Sequence, residues 1–136
     1  MKDTLYSGLP SMSEKDARML NPLQLAWIGD TVWDLMVRDE LLRSAMKMKD
    51  LNRKAVSSVN AAAQARAAEA VRNLLTEKEL DLLRRGRNMA TRHPKNQSLQ
   101  DYQAATGLET LLGYLYLTGQ EERIRMIWEG AKKADE

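Results

Sequence analysis

Two carboxylates interrupt segments that otherwise read as helical core. Asp30 follows Gly29 inside LAWIGDTVWDLMV, and Glu109 sits in ATGLETLLGYLYL between Gly107 and Gly113. A glycine in a helix interior costs about 1 kcal/mol relative to alanine. A carboxylate among Trp, Ile, Val and Leu is costly to desolvate unless it is paired or holds a metal. Each residue alone has a plain structural reading: Gly29 permits close helix packing while Asp30 meets an arginine, and Glu109 lies at the rim of a core helix. Asp34, four residues after Asp30, offers only like charge, whereas Asp34 itself has Arg38 four residues on. Taken together, Asp30 and Glu109 come from two separate apolar helices and could converge on one divalent cation. Hard oxygen ligands of this kind suit Mg²⁺, which keeps several waters and takes one or two carboxylates. A cation so held can generate hydroxide and fix a phosphate for in-line attack, the chemistry of phosphodiester hydrolysis.

A third feature is the basic stretch Arg84-Arg85-Gly86-Arg87-Asn88, continued by Arg92, His93, Lys95 and Asn96, with no acidic residue between 84 and 96. One reading is a solvated helix end, where cations suit the C-terminal dipole. The other is a contact surface for nucleic-acid phosphates, favoured by Asn and Gly beside the arginines and by the polar loop that follows. Arg43, Lys47, Lys49, Arg53 and Lys54 form a weaker basic cluster that either extends this surface or is a solvated face. His93 is the single histidine and there is no cysteine. Paired-histidine metal sites, thiolate catalysis, Cys-based zinc sites and disulfides are therefore excluded.

The elements that must position these groups read as helical almost throughout. The 136 residues fit one domain, and with 43% hydrophobic residues, 5% aromatic and no Phe, the interior must be filled by Leu, Met, Ala, Val and Trp. Ser13 is expected to cap a short first helix, and Asn21-Pro22 to open a long second helix over residues 22–45, apolar on most of its circumference and so buried on several sides. Asp50 is expected to cap an alanine-rich third helix running from about Asn52 to Leu75, and Thr76, with Glu77 and Glu79, to open a fourth. Residues 89–99, MATRHPKNQSL, read as a loop. A fifth helix, DYQAATGLETLLGYLYL, is broken by Thr118-Gly119 and followed by a last amphipathic helix, QEERIRMIWEGAKKA. The net charge is only +2, no apolar run approaches the roughly 20 residues a bilayer span needs, and MKDTLYSGLPSMSEKD lacks a signal-peptide core. These features predict a soluble, cytoplasmic protein with no membrane partner.

The segment LQLAWIGDTVWDLMVRDELL resembles the signature of the ribonuclease III family, with Ile28-Gly29-Asp30-Thr31-Val32 at its centre, and TGLETLLGYLYLTG resembles the family's second, glutamate-containing signature. More narrowly, the chain is similar to the Mini-III subgroup from about Asn21 to Lys132, with RRGRN at 84–88, PKN at 94–96 and LETLLGYLYL especially close. The resemblance implies an all-α ribonuclease III catalytic domain spanning residues 1–136 (core about 21–132), without a double-stranded-RNA-binding domain and forming a two-fold homodimer through the signature helix. It implies an endoribonuclease that cuts double-stranded RNA with Mg²⁺, for which Mn²⁺ would substitute. Asp30 and Glu109 would be the metal and catalytic ligands, and Arg84, Arg85, Arg87, Asn88, Lys95 and Asn96 the RNA-binding residues. The implied substrate is the precursor of large-subunit (23S) ribosomal RNA within ribosomal particles, with a ribosomal protein as a further partner. Larger members carry two more site carboxylates, at the positions of Ala26 and Thr106. That departure leaves open whether one or two metals act per site. It is also the support for the alternative, a non-catalytic RNA-binding or ribosome-associated dimer on the same fold; a purely structural helical dimer is a third reading.

Overall fold

Helix starts in this chain are written locally. Ser13, Asn21, Asn60, Thr76 and Ser98 all have extended backbone, and each side chain accepts a hydrogen bond from an amide two or three residues on. Such caps satisfy the N–H groups that a first turn otherwise leaves unpaired. At Asn21 and Thr76 the arrangement closes reciprocally, because Gln24 and Glu79 reach back to the cap amides. The computed structural model describes residues 8–44 and 46–133. Within them lie α1 (Glu14–Arg18), α2 (Pro22–Leu42), α3 (Met48–Val59), α4 (Ala61–Val71), α5 (Glu77–Met89), α6 (Leu99–Leu117) and α7 (Glu121–Lys133), with one 3₁₀ turn at Arg72–Leu74 and no strand among the described residues. The all-α expectation holds.

Three local expectations are corrected. The second helix stops at Leu42 rather than 45, and Ala45 lies outside the described residues. Asp50 is not a cap: α3 starts at Met48 behind Lys47, which makes no side-chain cap bond, and Asp50 lies in its first turn. The expected single alanine-rich helix is two helices, because Asn60 takes an extended conformation (ψ 166°) and caps Ala63. Its short polar side chain offers the backbone an alternative to continuing the helix.

The core is organised around α6. Residues Ala105 to Tyr116 are buried there except at Glu109, which is half-buried. A helix enclosed on all sides in this way has neighbours on every face, and α2, α4, α5 and α7 supply them. Polar ties fix the arrangement. The buried Thr110 hydroxyl lies between the Thr106 carbonyl of its own helix at 2.8 Å and the Pro22 carbonyl at 3.1 Å, bringing α6 against the start of α2. The Trp33 indole donates to the Ser58 carbonyl at 3.1 Å and meets Trp128 edge-on at 5.2 Å, joining α2, α3 and α7. Glu79, 4% exposed, accepts from Arg123, which also donates to the Leu74 carbonyl. Gly119, with φ +70°, ends α6 as the left-handed residue such a stop requires.

Burial of α2 on several sides is only partly met. Leu25, Ala26, Gly29, Val32, Trp33 and Val37 face the core, but Trp27 is 82% exposed and Leu23 and Thr31 are exposed beside it. The helix is apolar around its circumference, and among the described residues no element covers one of its apolar faces.

Candidate active site

The geometry of the site follows from glycine. A methyl group at Gly29 would collide with the backbone carbonyl of Glu109, and one at Gly113 with the carbonyl of Leu25. The α2 and α6 backbones therefore touch at these two points, and no other residue type fits between them. Asp30 is carried on α2 next to this contact, and Glu109 supplies the other side of it from α6.

As a result the two carboxylates meet. The Asp30 side chain lies within hydrogen-bonding reach of Glu109, which raises the Glu109 pKa both through that contact and through its charge. Burial is the larger cause, and together they push Glu109 up to about 9 from an ordinary 4.5. Only Gln64, on α4, acts in the opposite direction; its Nε2 donates to Glu109 Oε2 at 3.5 Å. Asp30 itself is exposed. The expectation of a carboxylate desolvated among apolar side chains is therefore corrected for Asp30 and applies to Glu109: Asp30 projects from the uncovered side of α2, where water reaches it. Asp34 pairs with Arg38 at 3.0 Å as expected.

Among the described residues no group of three or more His, Cys, Asp or Glu gathers anywhere, so the oxygen donors here are this pair, with the Gln64 amide beside Glu109. Two carboxylates forced together, with no basic side chain among the groups that shift Glu109, form an arrangement that a divalent cation with oxygen ligands relieves. The residues present fit such an ion, with its remaining positions left to water and substrate.

The basic stretch occupies the last turns of α5 and the loop after it. Gly86 packs on Thr110, and Gly107 on the backbone of Leu83, so α5 lies close along α6 near Glu109. Arg84 is exposed and pairs with Asp81 at 2.5 Å. Arg85 is half-buried and donates to the Arg18 carbonyl at 3.2 Å. Arg87, Asn88, Lys95 and Asn96 are exposed, as is His93. In the weaker cluster, Arg43 is paired with Asp39 at 3.1 Å. The residue that sequence reasoning missed is Gln64. Its signal was present: in AAAQARAAEAV it is the one polar side chain on the stripe shared with Ala61, Ala68 and Val71.

The profile of the ribonuclease III domain matches residues 23–120. The Mini-ribonuclease 3 of a Thermoanaerobacter species is 41% identical over 120 residues, covering 87% of this chain and 84% of that protein. The Mini-ribonuclease 3 of Symbiobacterium thermophilum is 44% identical over 115 residues, covering 82% and 88%. A crystal structure of a Fusobacterium nucleatum protein superposes with a TM-score of 0.80 at 30% identity, over 89% of this chain and 98% of that one. The profile match takes in both Asp30 and Glu109, and the relatives align over most of their own length. The chain thus belongs to the ribonuclease III domain family, in its Mini-ribonuclease 3 group, and is an endoribonuclease.

Proposed function

We propose that the chain cuts double-stranded RNA as a two-fold homodimer in the cytoplasm, using Mg²⁺ (or Mn²⁺) held by Asp30 and Glu109, and that its substrate is the precursor of large-subunit (23S) ribosomal RNA within ribosomal particles. The observation that carries the reading is the meeting of Asp30 and Glu109 across the α2–α6 contact. When bound, the cation supplies activation of the attacking water and neutralisation of charge developing on the phosphate. The protein's part is to fix two oxygen donors: Glu109 from a packed helix, and Asp30 from the open side of α2 where a phosphodiester can approach. Arg84, Arg85, Arg87, Asn88, Lys95 and Asn96 would steady the duplex by its phosphates. A-form RNA is recognised chiefly by shape, backbone and 2′-hydroxyl groups, which needs no base reading.

The dimer rests on the apolar start of the uncovered face of α2, the turns before Asp30. On α2, Leu23 and Trp27 lie four residues apart and are 45% and 82% exposed, and Met19, just after α1, is 76% exposed. An apolar row of this kind signals an interface, and a two-fold axis there would set two equivalent sites against one duplex, one per strand. A ribosomal protein is the expected further partner in the precursor particle, because a single small domain holds naked duplex weakly and with strong salt dependence.

The test uses a long RNA duplex at low salt with wild type and Asp30→Asn, each with Mg²⁺ and with EDTA. Cleavage by wild type only, and only with Mg²⁺, is the expected result. Cleavage in EDTA, or by a folded and contaminant-free Asp30→Asn, would refute the assignment of the site.

A further inference from the structure

Gln64 is unusual for its place. It is 2% exposed on α4, whose buried face is otherwise Ala61, Ala63, Ala67, Ala68 and Val71. A buried amide is unfavourable unless its hydrogen-bonding groups find partners, and Leu or Met would fill the same volume without that cost. Something at this point of the core requires an amide, and the partner present is Glu109, whose Oε2 accepts from Gln64 Nε2.

We infer that Gln64 is a positioning residue, holding one oxygen of Glu109 from α4 so that the carboxylate keeps the orientation that faces Asp30 and the cation. The inference rests on the metal-site reading above. Glu109 is approached from two sides, by Asp30 on α2 and by Gln64 on α4. A carboxylate on a flexible side chain turns freely unless a donor fixes one of its oxygens, and outer partners of metal-binding carboxylates commonly do this. A neutral donor suits this site better than a charged one. Lys or Arg at position 64 would compete with the cation for the pair, and Glu would add a third negative charge beside a carboxyl whose pKa is already raised.

The test uses the full chain, freed of metal, as wild type, Gln64→Leu, Gln64→Met and Asp30→Asn. Four quantities are measured: Mn²⁺ binding to the RNA-free protein by calorimetry, duplex binding in EDTA, thermal midpoint, and kcat and KM with Mg²⁺. The expected result for either apolar Gln64 variant is an unchanged or higher midpoint and unchanged duplex binding. Mn²⁺ affinity should fall about 10- to 100-fold, with a lower kcat at near-constant KM that excess Mg²⁺ partly restores. Wild-type Mn²⁺ affinity in both apolar variants, with Asp30→Asn defective, would overturn the role of Gln64 and leave the metal site standing. Wild-type affinity in Asp30→Asn as well would overturn the metal site itself. Loss of metal binding only together with loss of folding, in both variants, would make Gln64 a packing residue and also overturn the inference.

Discussion

Binding of a divalent cation to this protein should release a proton, because burial and Asp30 hold the Glu109 carboxyl well above the usual carboxylate range. Glu109 is held at about 9 in the metal-free chain, first by burial and then by Asp30. At pH 7, two units below that value, about 99% of the carboxyl groups carry a proton. A cation needs the carboxylate, so binding at pH 7 should expel about one proton per site, and apparent affinity should rise about tenfold per pH unit until pH nears 9. Relative to its high-pH limit, affinity at pH 7 should be about 100-fold weaker. The assay is calorimetric titration of Mn²⁺ into the RNA-free protein at pH 6, 7 and 8, each in two buffers of different ionisation enthalpy, whose difference counts the protons. The same shift acts on folding. The folded pKa lies above the unfolded one, so this carboxyl stabilises the metal-free fold fully below about 4.5 and loses that contribution as pH rises through about 9. A saturating cation should flatten that decline. Asp30→Asn should lower the Glu109 value only in part, because burial is the larger cause. Equal Mn²⁺ affinity at pH 6 and 8 with no proton released would refute the reasoning, since it would mean Glu109 is already ionised or is not a ligand.

Two further perturbations probe the frame around the site. Gly29→Ala drives a methyl group into the Glu109 carbonyl; overpacking of this kind costs about 1–3 kcal/mol, offset by about 1 kcal/mol of helix propensity. Chemical denaturation should thus show a net loss of up to about 2 kcal/mol, with cleavage falling more steeply because Asp30 and Glu109 are pushed apart. Trp27→Lys should leave helicity and the packing of the single chain intact, because the ring is 82% exposed, while sedimentation should shift from dimer to monomer; an unchanged dimer would place the interface elsewhere.

Much of this protein is legible along the chain, and the illegible parts share a cause. Ser13, Asn21 and Thr76 announce helix starts through bonds to residues only two or three positions away. Asn60 does the same, yet AVSSVNAAAQARAAEA hides it, because the alanine run that follows favours helix with or without the break. Asp30 and Glu109 declare themselves by breaking apolar segments, but which side of α2 Asp30 takes depends on a face that the single chain leaves open. Their meeting depends on the approach of α2 to α6, which the glycines permit without announcing their partner. Gln64 stands out as a polar residue on an alanine stripe, but its partner lies 45 positions away, as the Nε2–Oε2 contact shows, and nothing near it in the chain names that partner.

The contact of α2 with α6 also bears on how freely such a chain can drift. Where helices are spaced by interlocking side chains, each exchange of one aliphatic residue for another resets the gap between them. Here main chain rests on main chain at Gly29 and Gly113, so the separation of the two carboxylates is insulated from the choice of Leu108, Leu111, Leu112 or Leu115 around it. The interior can be rewritten over many generations while Asp30 and Glu109 keep their spacing, and the two glycines are where that latitude ends.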